Sequence, residues 1–248
     1  MSSPSRNLVV DVGNSGIKAA VFSDDDLMLP VSRFRTGDWS AIDGMVTNLG
    51  VRNIIYSTVA NVPSERWTDT WEKAGIGVYT LDRSKPLPFQ SDYRTMDTLG
   101  QDRIAAVAGT VGRLHTARLI VDAGSCVTSD LVDRRDRYLG GNISPGVSMR
   151  LRSMHEFTAR LPLVETGAAV DTVGRSTEQA LLHGGQVGVV YEIEGLFGRL
   201  VNVHRDLQLV LTGGDASLLL PYFSIDVLSY PNLVLRGLNQ ILSTYVNK

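Results

Sequence analysis

An apolar run followed by Asp-x-Gly and a small polar residue occurs twice in this chain: Leu8-Val9-Val10-Asp11-Val12-Gly13-Asn14 and Leu119-Ile120-Val121-Asp122-Ala123-Gly124-Ser125. The first copy continues through Ser15-Gly16-Ile17-Lys18 into Ala19-Ala20-Val21-Phe22, and the second into Val127-Thr128-Ser129-Asp130-Leu131-Val132. β-rich flanks around a turn of Asn, Ser and Gly predict a hairpin in each case. Glycines at such a tip let the backbone approach a ligand, and the N–H groups of the turn suit an anion. Lys18 adds a point charge of the kind that binds phosphate. Asp11, where the strand ends, is placed to hold a hydrated cation. One such turn is equally well explained as an ordinary hairpin. Two, matched in residues and in position, point to a duplicated fold with two phosphate loops facing each other.

The 248 residues suffice for one large or two modest domains with a sizeable core. A formal charge of −2 offers no field for nucleic acid or an acidic membrane surface. Cys126 is the one cysteine, which excludes an intramolecular disulfide and a thiolate zinc cluster. No apolar run approaches the length of a membrane span, and the residues before the first strand are short and polar, so a cytoplasmic protein is expected.

Asn53-Ile54-Ile55-Tyr56-Ser57-Thr58-Val59 predicts a buried strand that ends at the Asn61-Val62-Pro63 turn. Ser64 is placed to cap a helix carrying Trp67 and Trp71 on one face, read as core. Thr98 and Gln101 fit a capping box for a helix with Ile104, Val107 and Val111 on its apolar face. Asp102 in the first turn of that helix complements the dipole; as the competing reading, it is a carboxylate facing a ligand. Gly140-Gly141-Asn142-Ile143-Ser144-Pro145-Gly146 is a turn cluster leading into a helix with Met149, Leu151 and Met154. A long helical stretch from residue 173 carries a small face of Ala180, Gly184 and Gly188, suited to close helix packing. Leu207 to Thr212 predicts a strand, Gly213-Gly214 a turn, and Leu233 to Tyr245 a closing helix. The four histidines are scattered without metal-ligand spacing.

Taken in order, these motifs resemble the type III pantothenate kinase family of the acetate kinase/Hsp70/actin-like superfamily. The resemblance rests on Asp11 to Lys18, on Tyr93 ahead of Gly100-Gln101-Asp102-Arg103, on Asp122-Ala123-Gly124-Ser125, on Gly140 to Gly146, on Ser176-Thr177 and on Thr212-Gly213-Gly214. It implies an α/β chain of two RNase H-like domains with a nucleotide cleft between them, expected over residues 1–115 and 116–248, the second also the dimerisation domain; in the alternative, the C-terminal helix crosses back to the first. It implies ATP-dependent phosphorylation of the primary hydroxyl of pantothenate, Mg²⁺ with the nucleotide, K⁺ or NH₄⁺, and a homodimer. By position, Asp11, Val12, Gly13, Asn14, Ser15, Gly16, Ile17 and Lys18 form the first phosphate loop and Ser125 belongs to the second. Asp122 holds the monovalent cation. Tyr93, Gly100, Gln101, Asp102 and Arg103 line the pantothenate site, Thr177 reaches it from the other subunit, and Asp102 is the base.

The chain departs from the family pattern at a few positions. Ser15 and Ser125 stand where the family has Thr, keeping the hydroxyl. Thr95 and Met96 replace an Asn-Pro after the tyrosine. Cys126 replaces a small Ala and is expected to be packed. Two other readings remain on the same scaffold: a non-catalytic regulator of the transcription accessory type, and another small-molecule kinase. The presence of Asp11, Asp102, Asp122 and Thr177 favours a kinase over the regulator, and the short length leaves little room for the insertions of sugar and acetate kinases.

Overall fold

The structure, a computed structural model, describes residues 6–13, 16–58, 65–168 and 172–246. Asn14, Ser15, the Asn61-Val62-Pro63 turn and the Ser64 cap lie outside the described residues. The chain forms two compact units, Met1–Val111 with Leu233–Lys248 and Gly112–Asn232. The division expected at 115/116 thus falls at Val111/Gly112. The closing helix crosses back, the alternative to its place in the second domain, and belongs to the first unit.

In chain order the first unit contains β1 (Arg6–Gly13), β2 (Gly16–Ser23), β3 (Asp26–Leu27), β4 (Ser32–Phe34), α1 (Trp39–Asn48), β5 (Asn53–Thr58), α2 (Glu65–Lys73), β6 (Gly77–Thr80), β7 (Gln90–Ser91) and α3 (Gln101–Ala108). The second contains β8 (Arg118–Ala123), β9 (Cys126–Val132), β10 (Arg137–Pro145), α4 (Val147–Glu156), α5 (Thr177–Leu182), α6 (Gly188–Leu200), β11 (Gln208–Thr212), α7 (Ala216–Leu219) and β12 (Val227–Ser229). The last helix is α8 (Leu233–Val246).

The two sheets repeat one plan. In the first unit the order β3-β2-β1-β5-β6 pairs β3, β2 and β1 antiparallel, while β5 and β6 run parallel to β1. In the second, β10, β9 and β8 are antiparallel and β11 and β12 parallel, in the order β10-β9-β8-β11-β12. Both Asp-x-Gly turns therefore join hairpin strands, as the sequence pattern predicts, and the repeat is one of structure as well as of residues.

Each sheet has its own core. Leu8, Val10, Val12, Ile54 and Tyr56 pack with Trp39, Ile42, Val46 and Trp71 of α1 and α2. Trp67 and Trp71 stack at 6.4 Å, and Trp71 Nε1 donates to Asp43 Oδ1 at 2.9 Å, which satisfies its polar atom inside the core. Because strand side chains alternate, Asn7, Val9 and Asp11 point to the opposite face. There α8 packs against α3. The helices cross at glycines: a Cβ on Gly237 would overlap the Ala105 carbonyl, and one on Gly109 would sit 2.7 Å from the Leu233 carbonyl. Asn7 Nδ2 donates to Asn239 Oδ1 at 3.2 Å, and Asn239 Nδ2 donates to the Asp24 carbonyl at 2.7 Å, fastening α8 to the hairpin.

The core of the second unit gathers Leu119, Val121, Ala123, Val127, Leu209 and Leu211 with Val147, Leu151, Val189, Val190 and Ile193. Alternation again sends Asp122 to the face away from that core. Between α5 and α6 the backbone widens into a π-turn, His183–Val187. Its fully buried Gln186 accepts from the Gly167 N–H at 3.3 Å and donates to the Gly167 carbonyl at 2.8 Å, tying down a stretch without regular structure.

Candidate active site

At the tip of the first hairpin Gly13 pairs with Gly16, Val12 with Ile17 and Asp11 with Lys18. Val12 and Ile17 are fully buried in the core, so only their backbone is free for a ligand. Gly16 has φ +144°, and a Cβ there would lie 2.7 Å from the Phe34 carbonyl, so a side chain is excluded twice over. Asp11 and Lys18, paired across the hairpin, occupy the other face.

Asp11 Oδ1 accepts from the Ser57 hydroxyl at 2.9 Å; Ser57 is its parallel neighbour on β5. Burial raises the pKa of Asp11 from its ordinary value, the Ser57 hydrogen bond and the charge of Lys18 lower it, and the charge of Asp102 raises it further. Asp102 is thus near enough to Asp11 to repel it, and a cation at Asp11 would offset that buried charge.

Asp102 is the second residue of α3, not its cap. Gly100 is the N-cap and makes no side-chain cap bond, and the Asp102 carboxylate accepts from the Arg103 N–H at 2.9 Å. A Cβ on Gly100 would overlap that carboxylate, so the glycine makes the space it occupies. The capping box read from Thr98 and Gln101 does not form. Thr98 ends a 3₁₀ turn and donates to the Thr95 carbonyl at 2.9 Å. The Gln101 amide reaches elsewhere: its Oε1 accepts from the Thr58 N–H at 2.9 Å and its Nε2 donates to the Leu81 carbonyl at 3.1 Å. A capping box is a local bond, and here longer-range backbone groups outcompete it.

Arg103 is buried, and its guanidinium lies 5.8 Å from the centre of the Tyr93 ring. Tyr93, half-buried, donates its N–H to Ser91 Oγ at 3.1 Å, and the Ser91 hydroxyl donates to Met96 Sδ at 3.1 Å. Met96 thereby takes part in holding the tyrosine loop at one of the positions where the family has Asn-Pro. The first unit so brings together Asp11, Lys18, Asp102, Arg103 and Tyr93.

In the second unit Asp122 lies opposite Thr128 of β9 and beside Thr212 of β11, all on one sheet face. These are oxygen donors only, the chemistry of a hard cation. Register alone brings the two threonines to Asp122, a grouping that no spacing along the chain marks. Ser125 at the tip is exposed, as is Cys126, which corrects the expectation of a packed cysteine: its side chain follows the turn outward. Gly146 seats its N–H on the Ser125 carbonyl at 3.1 Å, and a Cβ on it would overlap Gly124. Gly213, with φ +104°, closes on Ala123 in the same way, while nothing surrounds Gly214. Asp215, whose carboxyl burial pushes up, donates its N–H to the Ala123 carbonyl at 2.9 Å. The glycine clusters at 140–146 and 212–214 therefore both support the second hairpin.

Thr177 is exposed at the first turn of α5, whose cap Ser176 accepts from the Gln179 N–H at 3.2 Å. Ala180 and Gly184 are also exposed, and no atom lies within contact of a Cβ placed on Gly184 or Gly188. Among the described residues no group of three or more His, Cys, Asp or Glu could hold a metal ion, and no helix is long and apolar enough to cross a membrane.

Two sheets of one plan, each opening with a hairpin that carries Asp-x-Gly at its tip, define the two-domain actin-like ATPase and kinase class. Solved structures agree. A Campylobacter jejuni protein proposed to be a Baf family transcriptional activator superposes with a TM-score of 0.62 at 24% identity, over 97% of this chain and 100% of that one. A Sinorhizobium meliloti protein proposed to be a 2-dehydro-3-deoxygalactonokinase gives 0.60 at 14%, over 97% and 99%. At these identities the likeness is one of fold. Within the class, the family model for type III pantothenate kinase matches residues 7–199. A type III pantothenate kinase of Christiangramia forsetii is 37% identical over 238 residues, 95% of this chain and 97% of the relative. The chain belongs to the type III pantothenate kinase family.

Proposed function

We propose that this protein transfers the γ-phosphoryl group of ATP to the primary hydroxyl of pantothenate, giving 4′-phosphopantothenate and ADP, the first step of coenzyme A biosynthesis. The observation that carries the reading beyond family membership is the placement of Asp102. It sits at the start of α3, near enough to Asp11 to raise that group's pKa, and the next residue, Arg103, lies with its guanidinium over the Tyr93 ring.

Phosphoryl transfer asks the protein mainly for positioning and for neutralisation of charge. Asp102 accepts the proton of the attacking hydroxyl as its oxygen bonds to phosphorus. Tyr93, Gly100, Gln101 and Arg103 bound the pantothenate site, with Gln101 acting through its backbone because its amide is committed to Thr58 and Leu81. Residues 11–18 of the first unit and Ser125 of the second bind phosphate groups, through N–H donors and the Lys18 ammonium.

Asp11 fits the Mg²⁺ that accompanies ATP, since burial already disfavours its uncompensated charge. Asp122, with Thr128 and Thr212 on its face, fits K⁺ or NH₄⁺. When bound, these cations offset the negative charge of the polyphosphate.

The open surface at Ala180, Gly184 and Gly188, with Thr177 exposed on the same helical stretch, supports a homodimer in which Thr177 completes the pantothenate site of the other subunit. A monomer by light scattering at micromolar concentration, with full activity, would refute that arrangement. The protein acts in the cytoplasm, where ATP and pantothenate meet.

Purified protein incubated with ATP, Mg²⁺, K⁺ and pantothenate should yield ADP and 4′-phosphopantothenate by mass spectrometry, with ADP formation dependent on pantothenate. ATP turnover unaffected by pantothenate, or no turnover at all, would return the chain to the sugar-kinase or regulatory readings.

A further inference from the structure

Two side chains hold the loop that presents Asp102: Arg83, which has no assigned role, and the Gln101 amide, whose backbone alone faces the pantothenate site. Arg83, on the surface turn after β6, donates from both Nε and Nη2 to the Leu99 carbonyl, at 3.0 and 2.8 Å. Leu99 is the residue before Gly100, and its own side chain is buried. Gln101 bridges the Thr58 N–H at the end of β5 and the Leu81 carbonyl. Thr58 follows Ser57, whose hydroxyl holds Asp11. A continuous chain of bonds thus runs from the Asp11 carboxylate through Ser57, Thr58 and Gln101 to the start of α3. Arg83, two residues beyond the Leu81 that Gln101 reaches, clamps the same loop at Leu99.

This arrangement has a consequence for the reaction. Gly100 makes no side-chain cap bond, so the first turn of α3 is not anchored by its own cap. The place of the Asp102 carboxylate relative to Asp11 is then set by these long-range bonds. Two guanidinium donors on one carbonyl fix direction as well as distance, which a lysine ammonium does less well. Displacement of a reacting group by about 1 Å is enough to slow turnover by about a hundredfold.

We propose that Arg83 and the Gln101 amide are positioning residues that set Asp102 for catalysis. The proposal rests on Asp102 being the base, and the test separates the two. The kinetics of wild type, Arg83→Met, Arg83→Lys, Gln101→Met, Asp102→Asn and the double variant Arg83→Met/Asp102→Asn are compared, together with thermal unfolding of each. Arg83→Met and Gln101→Met should each lower kcat by about tenfold or more with KM for ATP little changed. Arg83→Lys should recover part of the loss. In the Asp102→Asn background Arg83→Met should cause no further fall, because residues acting through one group are not additive. Slow Asp102→Asn with normal Arg83→Met overturns the positioning role alone, as does an equal fall in both backgrounds. Normal turnover of Asp102→Asn overturns the base and the positioning together. If Arg83→Met unfolds at the assay temperature, Arg83→Lys and Gln101→Met decide, and normal kcat in both overturns the proposal.

Discussion

The Asp11 carboxyl is raised from its ordinary pKa by burial and then by repulsion from Asp102, against the Ser57 hydrogen bond and the charge of Lys18. Without ligands, the folded protein therefore binds this proton more tightly than the unfolded chain does. Stability from this group is present below the ordinary Asp value and is lost as pH rises through the raised folded value. Asp11→Asn keeps an oxygen for Ser57 and removes the charge. The ligand-free variant should melt above wild type at pH 7, and the gap should close as pH falls below the ordinary Asp range. Turnover should be lost. A variant that melts lower at pH 7 would show that Asp11 is not under strain.

Gly100 is required by the carboxylate, not by backbone conformation. A methyl group there would overlap Asp102, which can turn aside at little cost in stability. Gly100→Ala should melt within a few degrees of wild type yet lose about tenfold or more in kcat, as displacement of the base demands. Unchanged kcat would indicate that the carboxylate acts from another position.

At the crossing of α3 and α8 the neighbour is backbone and cannot turn aside. Gly237→Ala forces its methyl into the Ala105 carbonyl. The variant should lose about 1–3 kcal/mol of stability by chemical denaturation, the usual range for overpacking. A loss well under 1 kcal/mol would show that the two helices separate freely.

Asp122 should govern the response to monovalent cations. Activity should be low in sodium-only buffer and restored by K⁺ or NH₄⁺, and Asp122→Ala should abolish that restoration. Equal rates in sodium and potassium would remove the cation site.

The plan of both sheets was legible because alternation, a glycine turn and an Asp at the strand end are local signals, present twice. The helix of Asp102 was legible from the apolar spacing of Ile104 and Val107, though it ends at Ala108, short of Val111. Its anchoring was not: Gln101 looked like half of a capping box with Thr98, but its partners Thr58 and Leu81 lie 43 and 20 residues away. Membership of α8 in the first unit depends on its packing against α3 at Gly109 and Gly237 and on the Asn7–Asn239 bond across 232 residues, which no periodicity encodes. Arg83 carried no signal, because the Leu99 carbonyl it clamps is backbone. Cys126 was misjudged since the residue type favours burial whereas the turn directs it to solvent.

Asp102→Asn tests the central claim most directly, by turnover measured beside ATP binding and melting temperature. The substitution keeps the shape and an oxygen that still accepts from the Arg103 N–H, so the first turn of α3 should survive. With the base gone, kcat for pantothenate phosphorylation should fall by about 10²-fold or more, while ATP affinity and melting temperature change little. A variant that turns over pantothenate at a near-normal rate, or that loses activity only because it unfolds, would contradict the account and leave Asp102 as a first-turn carboxylate serving its helix.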